Sequence, residues 1–171
     1  QEININLAET EQLKKSNDFQ SDLEVLIIGA GMSGILAGIR LADLGIKFKI
    51  YEKNICVGGT WYENKYPGSR VDIANHFYSY SFEENHQWSE HFSQQPELLE
   101  YFEKCFYKYG IEKNTYFETE VVSATFDELT NLWSVTSQKK NNKIQEKTNI
   151  IISCVGQLNQ PNVPNINGID D

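Results

Sequence analysis

A glycine-rich turn between an apolar strand and an apolar helix constrains the fold of this chain more than any other feature. The turn reads Gly29-Ala-Gly31-Met-Ser-Gly34 and follows the apolar run of residues 24–28. Apolar residues then recur at helical spacing over residues 32–44, and residues 46–51 alternate as a second strand does. Strand, turn, helix and strand in this order predict a βαβ unit with a right-handed crossover.

The spacing of the glycines predicts a dinucleotide site. Gly29 permits the tight turn, Gly31 lets the backbone approach a pyrophosphate, and Gly34 lets the helix pack on the strand. The N–H groups at the helix N-terminus favour phosphate. Glu52, at the end of the second strand, can accept hydrogen bonds from both ribose hydroxyls, and its charge favours FAD or NAD over NADP. A purely structural turn and a surface glutamate are the alternatives.

One helix and three strands are predicted downstream. The helix spans residues 96–109, with proline in its first turn and Gly110 just past its end. Residues 119–126, 132–137 and 144–153 read as strands joined by short turns, which predicts an antiparallel meander.

The fold class expected from these elements is α/β, a Rossmann-like domain. Its parallel sheet should contain residues 24–29, 47–52 and 149–155. The first two form the βαβ unit, and the apolar run of the third is typical of a return to the buried central sheet. The meander should lie over this sheet. The first and last of these strands are expected to be neighbours.

The segment 53–93 is long, irregular and rich in Gly, Asn, Tyr and Trp. Such a stretch inside a compact domain is usually functional or disordered, and the aromatic residues argue against disorder. It contains Gly58-Gly-Thr-Trp61 and Tyr66-Pro-Gly-Ser-Arg-Val-Asp72. These runs present Trp, Arg and Asp on glycine turns near the predicted dinucleotide site. An aromatic loop that packs on itself is the alternative.

Residues 58–72 resemble the first signature of the Baeyer–Villiger monooxygenases, Gly-Gly-Thr-Trp-Tyr-x-Asn-x-Tyr-Pro-Gly-x-Arg-x-Asp, within the flavin-containing monooxygenases. The resemblance continues through residues 75–82, 94–97 and 156–161. It is greatest for the 4-hydroxyacetophenone monooxygenase branch.

This resemblance covers roughly residues 22–171. It implies that residues 21–171 form the N-terminal part of an FAD-binding domain, and that residues 1–20 are a tail or the end of an extension.

The resemblance also implies which residues contact the cofactors FAD and NADPH. The glycine turns and Glu52 match positions that hold FAD, mainly its ADP half: Gly29, Gly31, Ser33, Gly34, Glu52 and Gly59. Positions near the flavin ring and its ribityl chain are matched by Thr60, Trp61, Asp72 and Tyr78. Further FAD contacts are matched by Val121, near the adenine, and Gln157. The segment that reaches toward NADPH is matched by Arg70, Val71 and Asp72.

Members of this family use NADPH and O2 to insert an oxygen atom beside the carbonyl of a small-molecule ketone, which gives an ester or lactone. The second glycine fingerprint and second signature of the family do not occur in these residues. Arg40 and Arg70, the two arginines of the chain, do not match the family's catalytic arginine. We therefore expect an inactive fragment of such an enzyme. A heteroatom-oxidising flavin monooxygenase and a non-catalytic flavin-binding module are the alternatives.

Composition narrows the partners further. The net charge is −9 and no basic patch offsets it, so nucleic acid and anionic membrane surfaces are not expected to bind. No apolar run of about 18 residues predicts a transmembrane helix. Free thiols in a reducing cytoplasm are expected from the odd number and the spacing of Cys56, Cys105 and Cys154. Surface or packing positions rather than a metal site are expected for His76, His86 and His91.

Overall fold

A parallel sheet and an antiparallel sheet organise the part of the chain that a computed structural model describes, residues 22–85, 87–157 and 162–169. The expected tail at residues 1–20, together with His86, lies outside these ranges. In chain order the elements are β1 (Glu24–Ile28), α1 (Met32–Asp43), β2 (Lys47–Tyr51), α2 (Thr60–Glu63), α3 (Gln95–Lys108), a 3₁₀ turn (Ile111–Asn114), β3 (Thr115–Tyr116), β4 (Glu120–Asp127), β5 (Leu132–Lys139), β6 (Asn142–Thr148) and β7 (Ile150–Ser153).

The parallel sheet has the strand order β3-β2-β1-β7. Its central strand β1 pairs with β2 on one side and with β7 on the other, so that Leu26 stands opposite both Lys49 and Ile151. The side chains of Val25, Leu26 and Ile27 are buried, as a strand covered on both faces requires. The predicted adjacency of residues 24–29 and 149–155 is confirmed, and so is the Rossmann-like α/β class.

Helix α1 packs its apolar face on this sheet. Ile35 and Ile39 are buried, while Arg40 is exposed and pairs with Asp43 at 3.3 Å. Gly45, with φ +69°, follows the helix C-terminus and lets the chain turn into β2. The predicted helix 32–44 is therefore confirmed to within one residue.

Helix α3 packs against the irregular segment 53–93 and completes the core that α1 forms with the parallel sheet. Proline stands in its first turn and Gly110, with φ +67°, follows its last turn, as predicted. Its residues Leu98, Phe102 and Phe106 are fully buried. Each such side chain contributes about 1.5–3 kcal/mol through burial, so α3 is a principal source of stability for the loop that it covers.

The antiparallel sheet β4-β5-β6 lies over the parallel sheet, as predicted. Val135 on β5 is buried against Leu26 and Tyr51 in a small second core. A salt bridge of 2.7 Å between Lys49 Nζ on β2 and Glu146 Oε2 on β6 joins the two sheets.

The predicted strand 144–153 is wrong as a single element. It consists of β6, which pairs with β5, and β7, which pairs with β1, and the two are separated at Asn149. Asn149 donates its backbone N–H to Glu24 O at 3.1 Å and accepts the N–H of Glu24 on Oδ1 at 2.9 Å. These two bonds tie the chain to β1 at the point where it leaves one sheet and enters the other.

Smaller corrections concern element ends. The parallel strands end at residues 28, 51 and 153 rather than at 29, 52 and 155, because the residues after them turn into loops at the sheet edge. The sequence did not predict the short elements α2 and β3.

Candidate cofactor site

The loops that carry the predicted site residues leave the parallel sheet at one edge. Strands β1, β2 and β7 are parallel, so their carboxyl ends meet there. The glycine turn follows β1, Glu52 follows β2, and Gln157 lies in the loop after β7. In open α/β sheets this edge is where ligands bind.

The glycine turn is closed on both sides by backbone atoms. The Gly29 N–H donates to Tyr51 O at 2.8 Å, and a Cβ at Gly29 would stand 2.6 Å from Cys154 O. A Cβ at Gly34 would stand 1.9 Å from Gly29 O, so the first turn of α1 rests directly on the end of β1. With φ +99° at Gly29, both positions require glycine for steric reasons, as the pattern predicted.

Glu52 is a buried carboxylate with 3% of its surface exposed. Its Oε2 accepts the N–H of Ala30 in the glycine turn at 2.7 Å, and its Oε1 accepts the N–H of Asn54 at 2.8 Å. The alternative of a surface glutamate is therefore wrong. Each carboxylate oxygen retains further acceptor capacity, which a ribose hydroxyl can use.

The second glycine pair packs against the first turn, backbone on backbone. The Gly58 N–H donates to Ala30 O at 3.0 Å. A Cβ at Gly59 would lie 2.9 Å from the Cα of Gly31, and a Cβ at Gly58 would lie 2.4 Å from Leu99 Cδ1. The two glycine motifs, which are 27 residues apart between Gly31 and Gly58, thus form one structural unit.

The N-terminus of α1 presents hydrogen-bond donors at this unit. Gly31 is its N-cap and no side chain caps the helix, and the first turn carries no acidic residue. The first N–H groups of a helix lack intrahelical partners and attract anions. Ser33 is exposed on this turn, where its hydroxyl is available to a ligand.

Trp61 on α2 and Tyr78 on the loop that follows it form an aromatic pair. The indole Nε1–H of Trp61 donates to the Tyr78 hydroxyl at 3.2 Å, and the rings meet edge to face with centroids 5.7 Å apart. The side chain amide of Gln95 donates to the Trp61 carbonyl. Thr60 is exposed at the start of α2, beside this pair in sequence.

The Arg70–Asp72 segment pairs with the segment that enters α3. The Val71 N–H donates to Ser93 O at 3.1 Å, and Arg70 reaches Glu90 Oε2 at 3.2 Å. Arg70 and Asp72 are exposed, whereas the Val71 side chain is buried in the main core. Any contact of Val71 with a cofactor is therefore restricted to its backbone.

The last two predicted contact residues, Val121 and Gln157, lie far from the glycine turn along the chain. Val121 on β4 is half-buried in the small core with Leu26 and Tyr51. Gln157 is exposed and follows Gly156, whose φ is +82°.

Two residues that the sequence did not assign to the site hold its loops in place. Asn75 is buried, and its side chain amide bonds Glu90 O at 2.7 Å, Ser93 Oγ at 2.6 Å and the Ser93 N–H at 3.0 Å. Tyr80 donates its hydroxyl to Met32 O at 2.6 Å. No local pattern could identify these roles, because the partners lie 15 to 48 residues away.

Other chemistry is limited within the described ranges. No three side chains of the His, Cys, Asp and Glu types there come together as metal ligands. Every helix described is too short or too polar to cross a membrane. A cavity of about 320 Å³ opens between the loop segments, lined by Asn75, His76, Trp88, Ser89, Glu90 and His91. The cysteines are free thiols, and burial raises the pKa of Cys105 to about 11, which makes it a poor nucleophile.

Known proteins are similar to this chain over most of its length. Residues 27–95 match the sequence family of the NAD(P)-binding Rossmann-like domain. A Baeyer-Villiger monooxygenase of Pseudomonas aeruginosa is 39% identical over 149 residues, 86% of this chain and 28% of the relative. Cyclopentanone 1,2-monooxygenase of Comamonas sp. is 37% identical, over 94% of this chain and 29% of the relative. Phenazine N-monooxygenase PhzNO1 of Lysobacter antibioticus is 33% identical, over 88% and 28%.

Solved structures show the same likeness. The structure of OTEMO with FAD and NADP superposes with a TM-score of 0.77 at 35% identity, covering 87% of this chain and 28% of that one. The closed structure of cyclohexanone monooxygenase gives a TM-score of 0.77 at 33% identity, covering 88% and 29%. The chain thus spans less than a third of the length of these relatives.

Proposed function

We infer from this likeness that the chain is part of a flavin monooxygenase of the Baeyer–Villiger group, and we propose that it is the FAD-binding portion. The whole enzyme would use NADPH and O2 to insert an oxygen atom beside a ketone carbonyl. One observation carries the proposal: the buried Glu52 carboxylate is bonded to the glycine turn, at the sheet edge where α1 presents uncapped N–H groups.

The donors and acceptors at this edge fit the ADP half of FAD. The N–H groups of the first turn of α1 can bind the pyrophosphate, because the turn lacks both a cap and an acidic residue. The Glu52 carboxylate can accept from the ribose hydroxyls, and it would repel a 2′-phosphate. This site therefore suits FAD better than NADPH. Residues proposed to hold this half are Gly29, Gly31, Ser33, Gly34, Glu52, Gly59 and Val121.

The remaining residues are proposed to orient the flavin and to face NADPH. FAD, when bound, supplies the redox chemistry. The Trp61–Tyr78 pair offers a fixed aromatic edge, and its hydrogen bond limits the rotation of both rings. Arg70 is exposed and pairs with Glu90 at 3.2 Å, and its guanidinium suits a phosphate of NADPH that replaces or joins this partner. Positions proposed for these contacts are Thr60, Trp61, Arg70, Val71, Asp72, Tyr78 and Gln157.

Finer assignments belong to the same proposal. We propose that residues 21–171 are the N-terminal part of the FAD-binding domain and that residues 1–20 belong to a tail or an extension. Membership of the 4-hydroxyacetophenone branch rests on the motif pattern of residues 58–72 and 75–82. A cytoplasmic location rests on the free thiols.

A binding titration tests the cofactor assignment. FAD and ADP are titrated into the chain by calorimetry, with titrations extended to millimolar ligand. We expect both to bind and to compete with each other, and we expect NADP to bind more weakly than ADP because of its 2′-phosphate. Absence of FAD and ADP binding at millimolar concentration would reject the proposal.

Oxidation of a heteroatom is the second candidate for the whole enzyme. It is favoured by the 33% identity to phenazine N-monooxygenase PhzNO1. Product analysis of the full-length protein with a cyclic ketone and with a nitrogen heterocycle decides between the two. An ester or lactone supports the first candidate, and an N-oxide with no ester supports the second.

A further inference from the structure

The part of the irregular segment that carries Tyr78, Tyr80, Phe82 and Glu83 is called the aromatic loop here. Tyr80 connects this loop directly to the first turn of α1. Its side chain is buried, and its hydroxyl donates to Met32 O at 2.6 Å. A carbonyl oxygen has two lone pairs, so Met32 can accept this bond in addition to its bond within the helix. The Tyr80 ring stacks on Phe82 with centroids 5.2 Å apart, and its backbone N–H donates to the Tyr101 hydroxyl at 2.9 Å.

The other side of the same loop is fastened to α3. Tyr101 donates its hydroxyl to Glu83 O at 2.7 Å. The Glu83 carboxylate accepts from Lys108 Nζ and from the Tyr109 hydroxyl, both at 2.7 Å. These bonds hold the loop to α3, whereas the Tyr80 hydroxyl holds it to the helix that carries the proposed phosphate site.

The loop also carries Tyr78, two residues before Tyr80. Tyr78 accepts the Trp61 indole N–H and meets Phe102 of α3 edge to face, with centroids 6.3 Å apart. Trp61 is held beside the N-terminus of α1 by the preceding glycine pair, which packs on Gly31. The position of Tyr78 relative to that N-terminus depends instead on how the loop is held against α1, where Arg40 lies 4.2 Å from the centre of the Phe82 ring and the Tyr80 hydroxyl supplies the direct hydrogen bond.

We propose that Tyr80 is a positioning residue that sets the separation between the flavin end and the phosphate end of the FAD site. This inference rests on the proposed function. FAD would contact both ends at once, so a loop that is free to shift must be ordered when FAD binds, and the affinity falls. ADP would contact only the phosphate end, so its affinity does not depend on the loop.

The test compares Tyr80→Phe with Tyr109→Phe. Tyr80→Phe removes the hydroxyl that joins the loop to Met32 of α1. Tyr109→Phe removes the hydroxyl that joins the loop, through Glu83, to the end of α3. Tyr80→Phe keeps the ring stacking and leaves Met32 O its helical bond, so the variant is expected to fold. FAD and ADP affinities are measured by calorimetry, together with the thermal midpoint and the residual fluorescence of bound flavin.

We expect Tyr80→Phe to weaken FAD binding about threefold to tenfold, the equivalent of one lost hydrogen bond, and to change ADP binding by less than about twofold. Tyr109→Phe should change neither. Residual flavin fluorescence should rise in Tyr80→Phe, because the aromatic pair no longer holds its place beside the ring.

Two results would overturn the inference while leaving the proposed function intact. One is unchanged FAD affinity in Tyr80→Phe. The other is equal weakening of FAD and ADP, which indicates general destabilisation of the site. If the unsubstituted chain binds neither ligand, the proposed function itself fails and the inference fails with it.

Discussion

Glu52 stands between two backbone N–H groups, and both of its oxygens are engaged. In Glu52→Gln one of these N–H groups faces an amide NH2 instead of an acceptor. An unsatisfied buried donor costs about 1–3 kcal/mol, so we expect the free energy of unfolding to fall by that amount and ADP binding to weaken at least tenfold. Urea unfolding followed by tryptophan fluorescence and calorimetry with ADP measure the two effects.

Glu120→Gln is the matched control for this substitution, because Glu120 is exposed at the start of β4. It should leave both quantities unchanged. Equal effects of the two substitutions would show that the loss reflects net charge rather than the position of Glu52.

Gly34 has the least space of the glycines in the turn. Its added Cβ would overlap Gly29 O, a backbone atom that cannot move aside without opening the turn. We expect Gly34→Ala to destabilise the chain by about 3 kcal/mol or more. The thermal midpoint measures this, and Gly68→Ala, where an added Cβ meets nothing within 4 Å, should cost only the strain of its positive φ.

The residues that the sequence could identify are those whose task depends on near neighbours in the chain. Gly29, Gly31 and Gly34 are spaced by the geometry of one turn, so their pattern is visible without a structure. The hydrogen bonds of Asn75 and Tyr80 join positions 15 to 48 residues apart, and nothing in the local sequence encodes the partner.

Among the elements, those with clear start and stop signals were predicted well. Helix α3 has proline in its first turn and ends before Gly110, and β1 is uninterruptedly apolar after Glu24. The sequence placed residues 149–155 in the parallel sheet but did not show a break between β6 and β7, because Thr148-Asn149-Ile150 carries no glycine or proline although the chain changes sheets there. Strand β3 is two residues long, too short for any periodicity.

The contact between the two sheets includes the salt bridge between Lys49 and Glu146. Glu146 is largely buried, so Lys49→Met leaves a carboxylate without its cation. We expect the free energy of unfolding at neutral pH to fall by about 1 kcal/mol, since the pair is partly exposed. Lys47→Met, an exposed lysine on the same strand, should have no effect in the same urea titration. Equal losses in the two variants would contradict the assignment.

The whole molecule should lose stability in alkaline solution. Burial raises the pKa of Cys105 to about 11 from its usual 9, burial also raises the pKa of Tyr51, and the hydrogen bond to Glu146 raises the pKa of Lys49. A raised pKa means that the folded state holds the proton more tightly, so the stability is fully present below the unfolded pKa and is lost as the pH rises through the folded one.

For Cys105 this window is pH 9 to about 11. Urea midpoints at pH 8, 9, 10 and 11 measure the decline, and Cys105→Ala should make it shallower. A midpoint that does not change over this range would contradict the prediction.

The chain by itself is expected to bind FAD weakly and to show no ketone-dependent oxidation of NADPH. In the described residues β7 has a strand neighbour on one side only, and Phe77 is 85% exposed. We expect these open surfaces to leave part of the flavin ring in water. An uncovered area of about 100–200 Å² weakens binding on the order of a hundredfold. Flavin fluorescence measures FAD binding, and NADPH absorbance with a simple ketone measures the oxidation. Ketone-dependent consumption of NADPH above background would contradict the expectation that this chain alone is inactive.

The pairing of β1 with β7 has a consequence for how the chain is made. Glu24 at the start of β1 bonds Asn149, a separation of 125 residues. A ribosome adding roughly 5–20 residues per second needs about 6–25 s to synthesise that interval, and contacts so distant in sequence also form slowly. During that time the glycine turn lacks the backbone of Cys154 that closes one side of it. Nascent chains arrested before residue 150 should therefore fail to retain FAD on the ribosome, whereas chains extended well past it should acquire that ability during synthesis.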